Sequence, residues 1–318
     1  MQFTTPVPIQ QSNNPIDYTS RIVSLGSCFA VNIGQKLDYF KFNNTTNPFG
    51  ILFHPAALEK FTGFAVNNHQ FTEAGIFFNN NQWHCYDAHS DISHTDKRVM
   101  LDNLNHVTAT ANRHIKNASH IIITLGTAWV YRLKSTGNLV ANCHKVSQKE
   151  FTKEILSVEA IKQSLINILN MIYGANPNAT VIFTISPVRH IKDGITENQR
   201  SKAHLITALQ EVLHDNSSEV NAGYFPSYEI MMDELRDYRF YSQDMIHPNA
   251  TAIDYIWERF TEAYTAPQAQ AIMKEADSIQ KGLKHRPFNP DAPQHVNFLA
   301  HLNQKINTLQ QQYPHIRF

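Results

Sequence analysis

The sequence predicts an α/β fold with a mostly parallel sheet covered by helices on both faces, and three observations carry this expectation. Arg21 to Ser24, His120 to Thr124 and Thr180 to Ile185 are short apolar runs that read as buried strands. Stretches with apolar residues at helical spacing follow them, the alternation that builds parallel sheets. With 318 residues and a hydrophobic share of 42%, the chain has enough material for one generous domain with extra segments or for two small ones.

Taken in order, the first strand ends at Leu25-Gly26-Ser27-Cys28, and Phe29, Ile33 and Leu37 then recur every fourth residue, as on one helix face. A strand, a tight glycine turn and a helix result, a geometry that aims a side chain or amides outward from the helix N-terminus. Asn47-Pro48-Phe49-Gly50 signals a turn before a helix from Pro55 to Phe64. Phe77-Phe78 and Trp83-His84 flank three asparagines, and Trp129 to Leu133 and Leu139 to Asn142 bracket Ser135-Thr136-Gly137-Asn138; both read as hairpins. Ser157 fits an N-cap for a helix to about Tyr173, stopped by Gly174 and Pro177. After the Thr180 strand come a loop through Ser186-Pro187, a helix over Glu197 to His214, a short strand at Gly223-Tyr224-Phe225 and a helical Tyr228 to Arg236. Pro248 suits a first helical position, with a helix to about Ala263. The boundaries are an α/β domain over 1–264 and a polar, Gln-rich C-terminal helical extension over 265–318, placed outside the site.

Lys plus Arg (27) balance Asp plus Glu (27) without runs of like charge, which argues against nucleic acid or an anionic membrane as partner. No window approaches the roughly 18 apolar residues of a spanning helix, and Met1 to Pro6 lacks the features of a signal peptide. Three cysteines, Cys28, Cys85 and Cys143, form no CxxC pair, so the expected compartment is a reducing cytoplasm. Seventeen histidines invite a search for metal ligands. His84, His89 and His94, spaced by five, share neither a helix face nor a strand face, so no metal and no cofactor is expected; zinc there, or at His144 and His190, is the lesser reading.

Sites in open α/β sheets form at the C-terminal ends of strands. Four such ends carry reactive residues here: Gly26-Ser27-Cys28, Gly126-Thr127, Ser186-Pro187-Val188-Arg189-His190, and the loop ending Asp244-Met245-Ile246-His247. A carboxylate three residues before a histidine can orient the imidazole as a general base. The turn at Gly26 supplies a nucleophile, and the partial positive charge of a helix N-terminus favours a thiolate at Cys28.

Ser24-Leu25-Gly26-Ser27-Cys28-Phe29-Ala30 resembles the signature of the GSCFA family, bacterial proteins placed near the SGNH/GDSL hydrolases. Asn47 to Leu52, Thr124 to Trp129, Ala141 to Lys145, Ser186 to His190 and Tyr224 to Pro248 resemble the same family, over about Asp17 to Phe260. The resemblance implies a flavodoxin-like three-layer α/β/α fold and ester hydrolysis or acyl transfer, with an acylated carbohydrate or other small ester as substrate. Anchoring the SGNH Gly-Asp-Ser on Gly26 puts Cys28 at the nucleophile position, and a shift of one residue puts Ser27 there; Cys28 is preferred. Asp244 and His247 match the last block. Gly50 is the implied oxyanion glycine, and Asn47, Thr127, Asn142, His144 and Arg189 are carried as oxyanion or substrate-binding candidates. The third block departs from the pattern, because Gly126 is followed by Thr127, Ala128 and Trp129 where an asparagine belongs. That departure keeps open a non-catalytic carbohydrate- or partner-binding module on the same fold. Oligomeric state is not legible in the sequence.

Overall fold

Strand β1 (Arg21–Gly26) is apolar because it lies inside the sheet, and Gly26 ends it with a φ of 132°. In the computed structural model, residues 5–215 and 221–318 are described, so Met1 to Thr4 of the Met1-to-Pro6 stretch read for a signal peptide lie outside the described residues. The chain continues through α1 (Cys28–Tyr39), β2 (Asn43–Thr46) and α2 (Pro55–Val66). A hairpin follows, β3 (Phe77–Asn79) and β4 (Gln82–His84), then α3 (Lys97–Asn117) and β5 (His120–Leu125). A second insertion comprises β6 (Trp129–Leu133), β7 (Leu139–Val140) and β8 (Phe151–Ile155). Then come α4 (Val158–Ala175), β9 (Thr180–Ile185), α5 (Ile195–Asp215), β10 (Ala222–Phe225) and the short α6 (Ser227–Glu229). Helices α7 (Ala250–Tyr264), α8 (Pro267–Lys284) and α9 (Pro293–Gln312) complete the chain.

Five strands form one parallel sheet in the order β10-β9-β5-β1-β2. Read from the other edge, counting only these strands in chain order, it is 2-1-3-4-5, the flavodoxin-like order. Successive residues of each strand face opposite layers. Val23, Leu25, Ile121, Ile123, Val181 and Phe183 join the core under α2 to α5, while Ile22, Ile122 and Ile182 join the core under α1, α7 and α8. Each such side chain contributes about 1.5–3 kcal/mol of burial, which fixes the register. The expected three-layer α/β/α architecture is the observed one.

Both expected hairpins are present. Asn80 and Asn81, at φ 45° and 61°, turn the first, the two-residue conformation that asparagine tolerates. The second gains a strand the sequence reading lacks, since β8 pairs antiparallel with β6. Helix α3 also escaped the sequence reading, although Met100, Leu104, Thr108, Ala111 and Ile115 make one buried stripe along it. Pro248 is not the first helical residue. Asn249 is the N-cap of α7, its side chain accepting the Ala252 amide, and Pro248 pairs with Tyr241 across an isolated bridge. The helical reading of Tyr228 to Arg236 resolves into α6 and a π-helical turn over Ile230–Glu234.

The C-terminal extension is helical, as expected, and α8 docks on α1: Ala269, Met273 and Ile279 share a core with Phe29, Ile33 and Leu37. The segment before the sheet is clasped to the junction of α7 and α8. Ile16 donates to the Tyr264 carbonyl (2.7 Å) and accepts from the Ala266 amide (2.9 Å). Among the described residues, no helix is long and apolar enough to cross a membrane.

Candidate active site

The sheet order reverses between β1 and β5, and ligands of open α/β sheets bind at that crevice, outside the carboxyl ends of the strands. The Gly26 turn stands on it. A Cβ at Gly26 would lie 2.1 Å from the Thr124 carbonyl oxygen of β5, so only glycine brings the turn this close. The Gly26 amide donates to Asn47 Oδ1 (2.8 Å) and the Ser27 amide to the Thr124 carbonyl (3.1 Å), which pins the turn on both sides.

Ser27 and Cys28 occupy different environments. Ser27 is fully buried, and its hydroxyl caps α1 by accepting the Phe29 amide. Cys28, the first helical residue, is partly exposed. Burial pushes its thiol above the ordinary value, while the positive charge of Lys202 and the amides of Phe29 and Cys28 pull the other way.

Asp244 and His247 come together in a tight loop. One carboxylate oxygen accepts the amides of Ile246 (2.9 Å) and His247 (3.0 Å), and the other lies 2.7 Å from His247 Nδ1. These bonds hold the Asp244 carboxyl down at about 2. Met245, between them, takes a φ of 57°. The loop after β9 anchors this turn, for the Arg189 amide donates to the Ile246 carbonyl (3.2 Å). The Arg189 guanidinium lies over the ring of Tyr241 at 4.1 Å and that of the largely exposed Tyr238 at 5.2 Å, forming a cationic and aromatic platform on the same loop system.

Three further residues enter from α5, and sequence reasoning missed all of them. Asn198, Ser201 and Lys202 are buried in phase with Leu205, Ala208, Leu209 and Val212 on one helix face. Polar side chains continuing an apolar stripe are the signal that marks them. Asn198 accepts the His190 amide (2.8 Å) and Ser201 the Ala128 amide (2.8 Å). Lys202 Nζ donates to the carbonyls of Gly126 and Ser186, each at 2.7 Å, and so joins the ends of β5 and β9. Its burial lowers its affinity for a proton to about 7, against a countering pull from Cys28. His190, half-buried, is driven down to about 3 by desolvation first and then by the charges of Lys202 and His247.

The other sequence candidates stand elsewhere. The Gly50 amide, expected to face an oxyanion, donates instead to the Asn47 carbonyl (2.8 Å), the bond that closes its own turn. Asn47 is the brace of the Gly26 turn. Thr127 is buried against α5, its hydroxyl bonded to Ser201 (2.9 Å) and its amide to the Phe53 carbonyl. Asn142 caps the His144 amide and donates to Ser90, and His144 is buried between Ser90 and the Cys85 carbonyl, its proton affinity lowered to about 4 by burial. Both belong to the network of the insertions. The His84 ring lies tilted against His144 at 4.6 Å, with its ring nitrogens on Ser93 and the Asn79 carbonyl. Among the described residues, no three His, Cys, Asp or Glu side chains converge on a point where a metal ion fits.

The sequence pattern of the GSCFA family matches residues 21–260, and that of the GSCFA domain protein, C-terminal domain, matches 276–318. No curated protein matches the chain. The first match spans the sheet, the Gly26 turn, the buried polar residues of α5 and the Asp244 loop. The chain belongs to the GSCFA family.

Proposed function

We infer that this protein cleaves or transfers an acyl group from an ester, with Cys28 as nucleophile and His247, oriented by Asp244, as acid and base. The observation that supports this reading is an imidazole locked to a carboxylate at 2.7 Å, in a chain that also offers a partly exposed thiol at the N-terminus of α1. A carboxylate on Nδ1 leaves Nε2 to work as acceptor. The buried capping role of Ser27 favours Cys28 of the two candidate nucleophiles, and the α1 N-terminus stabilises charge developing beside it. An SGNH-like ancestry fits the 2-1-3-4-5 sheet and the order of the motif residues. The platform of Arg189, Tyr238 and Tyr241 suits a polar substrate such as an acylated carbohydrate, because rings and a guanidinium bind sugar faces and hydroxyls. Water as acceptor makes the protein an esterase, and a sugar hydroxyl makes it an acyltransferase.

One observation favours a second reading. The amides of Gly50, Gly126 and Thr127 are all committed to backbone carbonyls, which thins the supply of oxyanion donors and suits a binding module. Labelling with a thiol-directed acyl probe and with a fluorophosphonate separates the two. The catalytic reading expects acyl labelling that is lost in Cys28→Ala and in His247→Ala and kept in Ser27→Ala. Labelling by neither probe that depends on His247 would leave the binding module.

A further inference from the structure

We propose that Arg189 selects the substrate by charge: its guanidinium binds a carboxylate or phosphate group carried by the ester. The proposal rests on the reading of the His247 turn as the acid and base of acyl transfer, and it adds the chemical class of the substrate. Arg189 is half-buried in the loop after β9, its guanidinium 4.1 Å from the ring centre of Tyr241 and 5.2 Å from that of Tyr238. Aromatic faces hold a guanidinium in place without neutralising it. The other half-buried arginines are Arg132 and Arg259, and each sits on a glutamate, Glu154 and Glu234. No carboxylate pairs with Arg189 among the described residues. A guanidinium taken partly out of water with no counter-charge is a site waiting for an anion.

The space beside it has a matching make-up. A cavity of about 190 Å³ opens against Arg189 and the two tyrosines, and Met231, Met232 and Leu235 form its apolar wall. Both methionines belong to the π-helical turn, a distortion that frequently marks functional sites. Arg236 and Asp237 complete the lining. Asp237 spends Oδ1 on the Arg239 amide, and Arg236 reaches Asp233 only at 3.9 Å. Two guanidiniums therefore face the cavity against one carboxylate. Such a space takes an acid group together with part of the molecule that bears it.

Backbone bonds tie this anion site to the His247 turn. The Arg189 amide donates to the Ile246 carbonyl (3.2 Å), Tyr241 is bridged to Pro248, and the Ser242 amide donates to the His247 carbonyl (2.7 Å). The residues on both sides of His247 are thus held by the arginine and the ring beneath it. Asp244, the acid of that turn, is committed to His247 and two amides. An acid group seated on Arg189 places its ester next to the imidazole, so binding of a part of the substrate that does not react orients the part that does. Arginine suits this task better than lysine, because its planar fork meets two oxygens at once and fixes their direction.

Binding measured without turnover tests the proposal, so its failure is distinct from failure of the acyl-transfer reading. Calorimetric titration with glucuronate, glucose 6-phosphate and glucose compares one ring bearing a carboxylate, a phosphate or neither. At least one anionic sugar is expected to bind about tenfold or more tightly than glucose, the worth of a charged hydrogen-bonded contact. Which of the two does so identifies the acid group. Added salt should weaken that sugar and leave glucose unmoved. Arg189→Met is expected to abolish the preference. Arg189→Lys, which keeps the charge beside the rings and serves as the folded control, should retain only part of it. No preference of the unaltered protein for either anionic sugar, or a preference undiminished in both variants, would overturn the proposal.

Discussion

One oxygen of Asp244 stands 2.7 Å from His247 Nδ1, and the other receives the amides of Ile246 and His247. A single side chain thus shapes the turn and fixes the tautomer of the ring. Replacing it with asparagine separates the two tasks. Asn Oδ1 still accepts the amides, but its NH2 faces Nδ1 and forces the proton onto Nε2. Asp244→Asn is expected to lower the rate of acyl labelling by about a thousandfold or more while the melting temperature moves by only a few degrees. Thermal melts beside labelling kinetics check both halves.

The same carboxylate carries a pH signature. Its folded value is depressed from 3.8 to about 2, so its contribution to the loop is complete above 3.8 and is lost as pH falls through about 2. The amide resonance of His247, followed by NMR in acid, should titrate near the lower value. A midpoint at the ordinary carboxylate value would refute the hydrogen-bonded turn.

Asn47→Gly probes the brace of the nucleophile turn. Glycine accepts the φ of 44° at this position but removes the acceptor for the Gly26 amide. The expected loss is about 1–3 kcal/mol, the cost of an unpaired buried donor, read by chemical denaturation. Gly26→Ala should cost more, about 3 kcal/mol or beyond, or prevent folding, because the added carbon meets the Thr124 carbonyl.

Lys202 gives stability an unusual dependence on pH. Its folded value falls from 10.5 to about 7, so the cost of burying the protonated form is complete below about 7 and is relieved as pH rises toward 10.5. In a Cys28→Ala background, the lysine protein should gain about 2 kcal/mol over Lys202→Met between about pH 7 and about pH 9. Denaturation series on the two proteins would expose a flat difference if the lysine is not buried.

Much of this was legible in the sequence, and the exceptions share a cause. Strands such as His120–Leu125 announce themselves because a central parallel strand is apolar on both faces. The Asp244-to-His247 turn is readable because its bonds are local. Lys202 is not, since what makes it unusual is its burial beside two strand ends distant in the chain, which no local window contains. Gly50 shows the converse. A glycine after a turn looks like an oxyanion donor, and only the three-dimensional course of the backbone reveals that its amide points back to Asn47. Strand β8 was missed because Phe151 and Ile155, four apart, fit a helix as well as a strand, and pairing with β6 decides between them.

The docking of α7 and α8 on α1 has a consequence for how the chain emerges from the ribosome. Helix α1 ends at Tyr39, yet Trp257, Phe260, Met273 and Ile279, which complete its cover, follow more than 200 residues later. At about 5–20 residues per second, part of that apolar face waits roughly 10 to 50 s for its partners. During biosynthesis, the helix that carries Cys28 is therefore a part of the nascent chain that needs shielding.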